Sequence, residues 1–409
     1  MKNLLFLLLI SFFAGFVNEA DACTTFIISG KYTPDGNPIL YKHRDTGNLN
    51  NALVYFSDGK YSYIGLVDSN KEWNKMLWGG YNSAGFAIMN SAAYNNNIGD
   101  TSKFVDQEGI IMKLALQKCA TLADFEKLLI ELKKPLGVDA NFGVIDAFGG
   151  AAYYETGNRS FKKIDANDPA VAPFGYLIRT NYSFTGVIDK GAGYIRYATA
   201  NEALNMAVAM NKIEPQYLIN NISRNLTHSL TKENLWDRLP LNNKNTDFRN
   251  FEDFIPRNST ASVIMVVGVK NGEDASNTMM WTLLGFPLTT VATPVWLAAG
   301  KNLPFVLSMK DNLHAPLCDA AMKLKDQCFP IKRGSGLKYI NLAALINSEK
   351  NGIMQLLEPI ENEIFKQTNA LILSNPAGKP KVDKIQEYYK WIDSYIEGSY
   401  KTLFGIEVK

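Results

Sequence analysis

Histidine is scarce in this 409-residue chain, which holds three: His43, His228 and His314. No G-x-S-x-G occurs, and that excludes the nucleophile elbow of α/β-hydrolase Ser-His-Asp chemistry. A papain-like Cys-His pair has no local signature behind it. The scarcity favours a mechanism that needs no histidine. Cysteine is sparse as well, with four residues and no C-x-x-C or Cys/His cluster, so neither a metal nor another cofactor is expected. An excess of one charge is also missing: 42 basic and 40 acidic residues give a net charge of +2, and basic residues come only in short pairs such as Lys133-Lys134. No field draws such a chain to nucleic acid or anionic lipid. The apolar run from Leu4 to Phe16 is shorter than the roughly 18 residues that span a bilayer, and no stable membrane span is expected. The 46% hydrophobic and 20% charged content is ordinary for a globular protein and excludes disordered and fibrous classes.

What is present begins with a leader. Lys2 supplies a short positive start, the apolar run follows, and polar Asn18 and Glu19 lead into Ala20-Asp21-Ala22, the small-x-small pattern of a signal-peptidase site. Residues 1–22 read as a signal peptide, with export to the periplasm or exterior and Cys23 as the first mature residue. A lipoprotein site also places cysteine after the cut, but such sites carry Leu or a similar residue where this chain has Ala20. In an oxidising compartment Cys318 and Cys328 are candidates to pair across a short loop, while Cys119, in an apolar helical pattern, is expected buried and free.

From Cys23 to about Phe56 the chain reads as strands, with CTTFIISG and ILYKHRD flanking the breaker-rich Thr33 to Pro38, a hairpin signal. Further strands are expected at 85–92, 141–147, 151–156, 176–181, 259–270 and 278–285. Helices are expected over Val105 to Lys118, Thr121 to Leu132 with a Thr-x-x-Asp cap, and Ile195 to about Leu226. After Gly300 helical periodicity dominates, in Ala315 to Lys325, Tyr339 to Leu373 and Asp383 to Leu403. Strands grouped before and after helices imply an α+β fold with two packed sheets and helices outside. The division expected is a catalytic domain over 23–300 and a helical region over 301–409 packed on it or extending it.

An N-terminal cysteine joins a nucleophile and a base. Its α-amino group, with an ordinary pKa of about 7.7 to 8.0, accepts the proton of a thiol near 8.5. A carboxylate to orient the amine and a cation beside the thiol are offered by Asp45 and Lys42 in Lys42-His-Arg-Asp45. Neutral oxyanion donors are offered by Asn90 and Asn181 at strand ends. Read alone, the charged tetrad is also a solvated strand end, and either asparagine is also an ordinary turn residue. Tyr81, Phe86, Tyr94 and Tyr182 are candidates to line an acyl pocket, or core.

Taken together, the Cys23-Thr-Thr-Phe start, Lys42-His-Arg-Asp45, Gly80-Tyr-Asn-Ser-Ala-Gly85 before a strand, Arg179-Thr-Asn181, and Pro256-Arg257 ahead of a strand occur in one order. In these segments the chain resembles the N-terminal-nucleophile hydrolases of the choloylglycine hydrolase, penicillin V acylase and acyl-coenzyme A:6-aminopenicillanate acyltransferase group. The resemblance implies a four-layer αββα sandwich, with the helical region after Gly300 as an addition. It implies Cys23 as nucleophile and Asp45 holding its α-amino group. Asn181 and a group near Asn90, with Asn82 and Asn95 close by, would form the oxyanion hole, and Lys42 and Arg257 would support the nucleophile. The activity implied is hydrolysis of a linear non-peptide amide in an N-acylated small molecule, or acyl transfer at the same site. Lys42 departs from the arginine usual in bile-salt hydrolases, and a point charge does not reproduce a bidentate guanidinium.

Overall fold

The computed structural model describes residues 22–102, 105–309, 314–374 and 381–409. The proposed leader lies outside them, except for Ala22. One sheet is built from β1 (Cys23–Ile28), β2 (Ile39–Asp45), β10 (Tyr176–Arg179), β14 (Thr260–Val267), β15 (Met279–Leu284) and β16 (Thr293–Trp296), in the order β10-β1-β2-β14-β15-β16. The other is a sequential meander of β3 (Asn51–Phe56), β4 (Tyr63–Asp68), β5 (Gly79–Asn82), β6 (Ala87–Ala92), β7 (Ala140–Ile145), β8 (Ala151–Thr156) and β9 (Phe161–Asp165). Every pairing in both sheets is antiparallel.

The sheets stack face to face, with β1 and β2 against β6 and β7. Helices α1 (Glu108–Lys118) and α2 (Leu122–Glu131) cover the meander, and α3 (Tyr194–Ala209) covers β1 and β10. Helix α5 (Pro316–Cys328) packs on β15. The result is the expected α+β arrangement of four layers, helix, sheet, sheet, helix. Because β1 and β2 lie between a sheet and helices, all their residues are buried. That explains why CTTFII is continuous rather than alternating.

The Thr-x-x-Asp signal holds: Thr121 and Asp124 form a reciprocal capping box at α2. The helix expected from Ile195 to about Leu226 is broken. It ends at Ala209, Asn211 takes a positive φ of 52°, and Pro215 opens the short α4 (Pro215–Leu218), followed by a π turn at Ile219–Ser223. Proline has no N–H to continue a helix but suits a first turn. Two short ladders complete the strands, β11 (Thr227–His228) with β12 (Glu233–Asn234), and β13 (Phe248–Asn250) with β17 (Tyr339–Asn341). The latter takes the start of the helix expected from Tyr339. After it come α6 (Leu342–Leu345), α7 (Ile353–Leu373) and α8 (Val382–Phe404). These share the core of the sheets: Arg224 pairs with buried Glu361, and Tyr400 donates to Thr289 O at 3.2 Å.

The Cys318–Cys328 pairing is corrected. Both thiols are free and buried at opposite ends of α5. Ten residues of helix separate them by about 15 Å, beyond the roughly 7 Å that a disulfide bridges. Cys119 is buried and free, as expected. Among the described residues no helix is long and apolar enough to cross a membrane.

Candidate active site

The register of the first hairpin decides which side chains meet. Cys23 lies opposite Arg44 and Thr25 opposite Lys42, so these four share one face of the sheet. That face looks at the meander: Tyr153 donates to Thr25 Oγ1 at 2.8 Å, and Lys42 Nζ donates to Asn90 Oδ1 on β6 at 2.5 Å. Arg44 is neutralised by Asp68 on β4, at 2.7 Å. Tyr41, His43 and Asp45 alternate onto the opposite face, toward α3 and the π turn.

Cys23 lies in a cavity of about 560 Å³ whose lining includes Lys42, Asp45, Asn90, Tyr94 and Glu108. Such a volume suits a small organic molecule. A larger open groove of about 890 Å³ between α7 and α8 is lined by neither cysteine nor histidine. Of the aromatic candidates, Tyr94 lines the cavity, whereas Tyr81 and Phe86 are fully buried core. Tyr182 stacks on Tyr194 at 4.4 Å between ring centroids. Among the asparagines near Asn90, Asn82 ties its own turn to α1, and Asn95 holds the 183–187 loop. Only Asn90 of the three lines the cavity.

The Cys23 N–H donates to Asn181 Oδ1 at 3.1 Å. The same oxygen receives Arg196 Nη2 at 2.7 Å, and Asn181 Nδ2 donates to Ala92 O at 2.9 Å. The amide orientation is therefore fixed, since a flip would turn donors on donors. Two of the residues expected at the site make these contacts. Asn181 presents its oxygen, not its NH₂, to the Cys23 nitrogen. The Asp45 carboxylate bonds Arg257 at 2.8 Å and Thr260 at 2.6 Å rather than that nitrogen. Asp45 instead meets this segment through its backbone. Its N–H donates at 2.8 Å to the carbonyl oxygen of Ala22, the residue that precedes the cysteine.

Electrostatics at the site are set by burial and a few charges. Burial pushes the Cys23 thiol up; Lys42 opposes this, and the Asp45 charge adds to it. Burial also works against the charge of Asp45, but Arg257, with help from Arg196 and the Thr260 hydroxyl, holds its carboxyl below the ordinary range. In the cavity wall Glu108, at the start of α1, accepts from Asn90 Nδ2. Burial, reinforced by Asp106, pushes it up to about 8 against the pull of Lys42.

Two residues of this site escaped the sequence reading. Glu108 looks there like an ordinary acid favouring a helix N-terminus. Arg196 donates to Cys23 O at 2.7 Å and Thr24 Oγ1 at 3.0 Å from full burial on α3. Its signal was its place in the buried stripe of Arg196, Thr199, Ala200, Leu204 and Ala207, where an arginine needs internal partners. Gly193 makes room for it, because a Cβ there would collide with the guanidinium. His228 and His314 line no part of the cavity. Among the described residues no group of three or more His, Cys, Asp or Glu is placed to hold a metal.

No family model matches the chain, and no curated protein matches it. Among solved structures it is similar to an N-acylethanolamine-hydrolyzing acid amidase ortholog from Caenorhabditis elegans, at 13% identity and a TM-score of 0.40 over 64% of this chain and 100% of that one. It is likewise similar to a variant of conjugated bile acid hydrolase from Clostridium perfringens, at 9% identity and a TM-score of 0.41 over 67% and 92%. A third is penicillin V acylase from Agrobacterium tumefaciens, at 13% identity and a TM-score of 0.39 over 67% and 85%.

Proposed function

We propose that this protein is an exported N-terminal-cysteine amidohydrolase, matured by cleavage after Ala22, that cleaves a linear non-peptide C–N bond in an N-acylated small molecule. The observation that carries the reading is Cys23 at the first position of a buried strand, in a cavity of about 560 Å³, with Lys42 on the same face and its own nitrogen held by Asn181. In this reading residues 23–300 form the catalytic portion and 301–409 extend it.

Cleavage changes the site in two ways. It converts the Cys23 peptide nitrogen, which is no base, into an amine that accepts the thiol proton. It also removes Ala22 O from the Asp45 N–H, freeing a backbone donor beside Cys23. The thiolate attacks the amide carbonyl, and the C–S bond forms as the carbonyl π pair moves onto oxygen. Lys42 stabilises this charge from the cavity floor. Collapse breaks the C–N bond, and the Cys23 ammonium gives its proton to the leaving amine. Water, deprotonated by the same amine, then resolves the thioester to acid and free thiol; an amine in place of water gives acyl transfer.

The test is a panel of N-acyl amides offered to the mature chain and to Cys23→Ala. Turnover by the former and none by the latter is expected. Equal turnover by both eliminates the reading, and a diacylglyceryl adduct on exported Cys23 replaces it with a lipid-anchored binding protein.

A further inference from the structure

Behind Cys23, on the far face of β2, lies a closed chain of polar side chains that the proposed chemistry does not use. Ser223 Oγ is 2.9 Å from Tyr41 Oη, Tyr41 Oη is 3.3 Å from His43 Nδ1, and His43 Nε2 is 3.1 Å from Thr260 Oγ1. Thr260 Oγ1 ends the chain on Asp45 Oδ1 at 2.6 Å. His43 and Thr260 are fully buried, and Asp45 is 1% exposed.

The direction of every proton in this chain follows from its two ends. Asp45, bonded on its other oxygen by Arg257, is a carboxylate and only accepts. The single Thr260 hydroxyl hydrogen is therefore spent on Asp45. The Thr260 oxygen already receives the Arg257 N–H at 2.9 Å, and it must also receive His43 Nε2–H. The groups facing the imidazole are Asp45, Arg257, Arg196 and Tyr41, with Arg224 beyond Tyr41. Burial, with Arg196 and Arg257, pushes the ring down to about 4 against the pull of Asp45, so at neutral pH it has one N–H. Nδ1 is bare and accepts from Tyr41, and Ser223 donates to Tyr41 in turn. All the hydrogens point toward Asp45.

We propose that His43 is a positioning residue. As a neutral Nε2–H tautomer it closes a one-way chain, Ser223 to Tyr41 to His43 to Thr260 to Asp45, that fixes the end of β2 and with it the place of Asp45 beside Cys23 in the cavity wall. The chain is a property of the folded protein. Its consequence for catalysis rests on the reading of Cys23 as nucleophile.

Two readouts test this without a substrate. Nitrogen-15 correlation of the histidine side chains in the mature protein, with His43→Gln to assign the signal, should show protonated Nε2 and bare Nδ1 from pH 7 down to about 5.5. An Nδ1–H tautomer, or a ring that titrates near its ordinary value, overturns the proposal whatever the protein hydrolyses. Cys23 alkylation by iodoacetamide, read by peptide mass mapping across pH, supplies the second. Thr260→Val should slow it about tenfold at pH 7, corresponding to about one unit in the thiol pKa, and Thr260→Ser should restore it. Equal rates in the Val, Ser and unsubstituted proteins overturn the positioning role, as does slowing that Ser fails to rescue. If Thr260→Val does not fold, the tautomer and the same alkylation comparison made with His43→Gln decide. Absence of amide turnover in a protein that passes both readouts counts against the hydrolase reading and leaves the chain intact.

Discussion

Toward the meander, β2 presents Lys42 and Arg44 to a cavity; toward the helices, the same strand presents Tyr41, His43 and Asp45 to side chains that bond one another. All five are buried, yet their surroundings differ. On the cavity side Lys42 donates to a neutral amide oxygen of Asn90 beside open volume. On the rear side the Asp45 carboxylate collects Arg257 and Thr260, and Thr260 leads on to His43, while Asp45 also reaches the lining of the cavity. A buried ion whose partners are all internal serves position, whereas a buried cation at the wall of a cavity retains work to do on a ligand. One strand thus sets a cavity cation and the anchor of a side-chain network on opposite faces by alternation, and the two meet at the cavity wall where Asp45 reaches it.

Substitutions on the two faces should separate as well. The largest effect belongs to Cys23→Ala, which should lower turnover of any cleaved amide by about 10³-fold or more while leaving the thermal midpoint near that of the unsubstituted protein. Loss of stability with turnover retained would break the comparison. Next, Lys42→Met should lower kcat by about 10²-fold with little change in KM. Lys42→Arg should recover part of it, and a change confined to KM would place Lys42 in ground-state binding.

On the rear face, Arg196→Met should act first through stability. It removes the Arg196 donor from Cys23 O and Thr24 Oγ1 and leaves Asn181 Oδ1 with the Cys23 nitrogen alone, at a cost of about 3 kcal/mol by the usual scale for a broken buried charged network. Denaturant unfolding measures it, and a change under about 0.5 kcal/mol, the range of a surface substitution, would contradict the assignment.

The smallest effect is a pH dependence. Glu108 is pushed from an ordinary 4.5 up to about 8, so between those values the folded state holds a proton that the unfolded state has released. Stability from this group is full below about 4.5 and is lost as pH rises toward about 8. Relative to Glu108→Gln, the unsubstituted protein should therefore lose stability between pH 5 and 8, as thermal unfolding at several pH values would show. A constant difference would refute the shift.

Much of the fold was legible because its signals are local. The Thr121 cap, the hairpin breakers from Thr33 to Pro38 and the apolar strand runs need only their neighbours to be read. The missed strands include β4 and β16, both buried, and two whose patterns are weak alone. β5 opens on Gly79-Gly80, and β9 is an edge strand whose Lys162 and Lys163 are exposed, as edges often are. Of the site, the residues in the first hairpin and at strand ends could be found. Glu108 and Arg196 could not, because their roles arise only when α1 and α3 close on the sheets. The part played by Asn181 depends on which amide atom faces Cys23, and only the surrounding donors decide that.

The most direct test of Cys23 as an N-terminal nucleophile is intact-mass and peptide mapping after exposure to an activated N-acyl ester. The mature chain beginning at Cys23 is compared with a chain that retains Ala22. The account predicts one acyl group, on Cys23, in the mature chain alone. Equal acylation of both chains, or acylation at Cys119, Cys318 or Cys328 in place of Cys23, would contradict it.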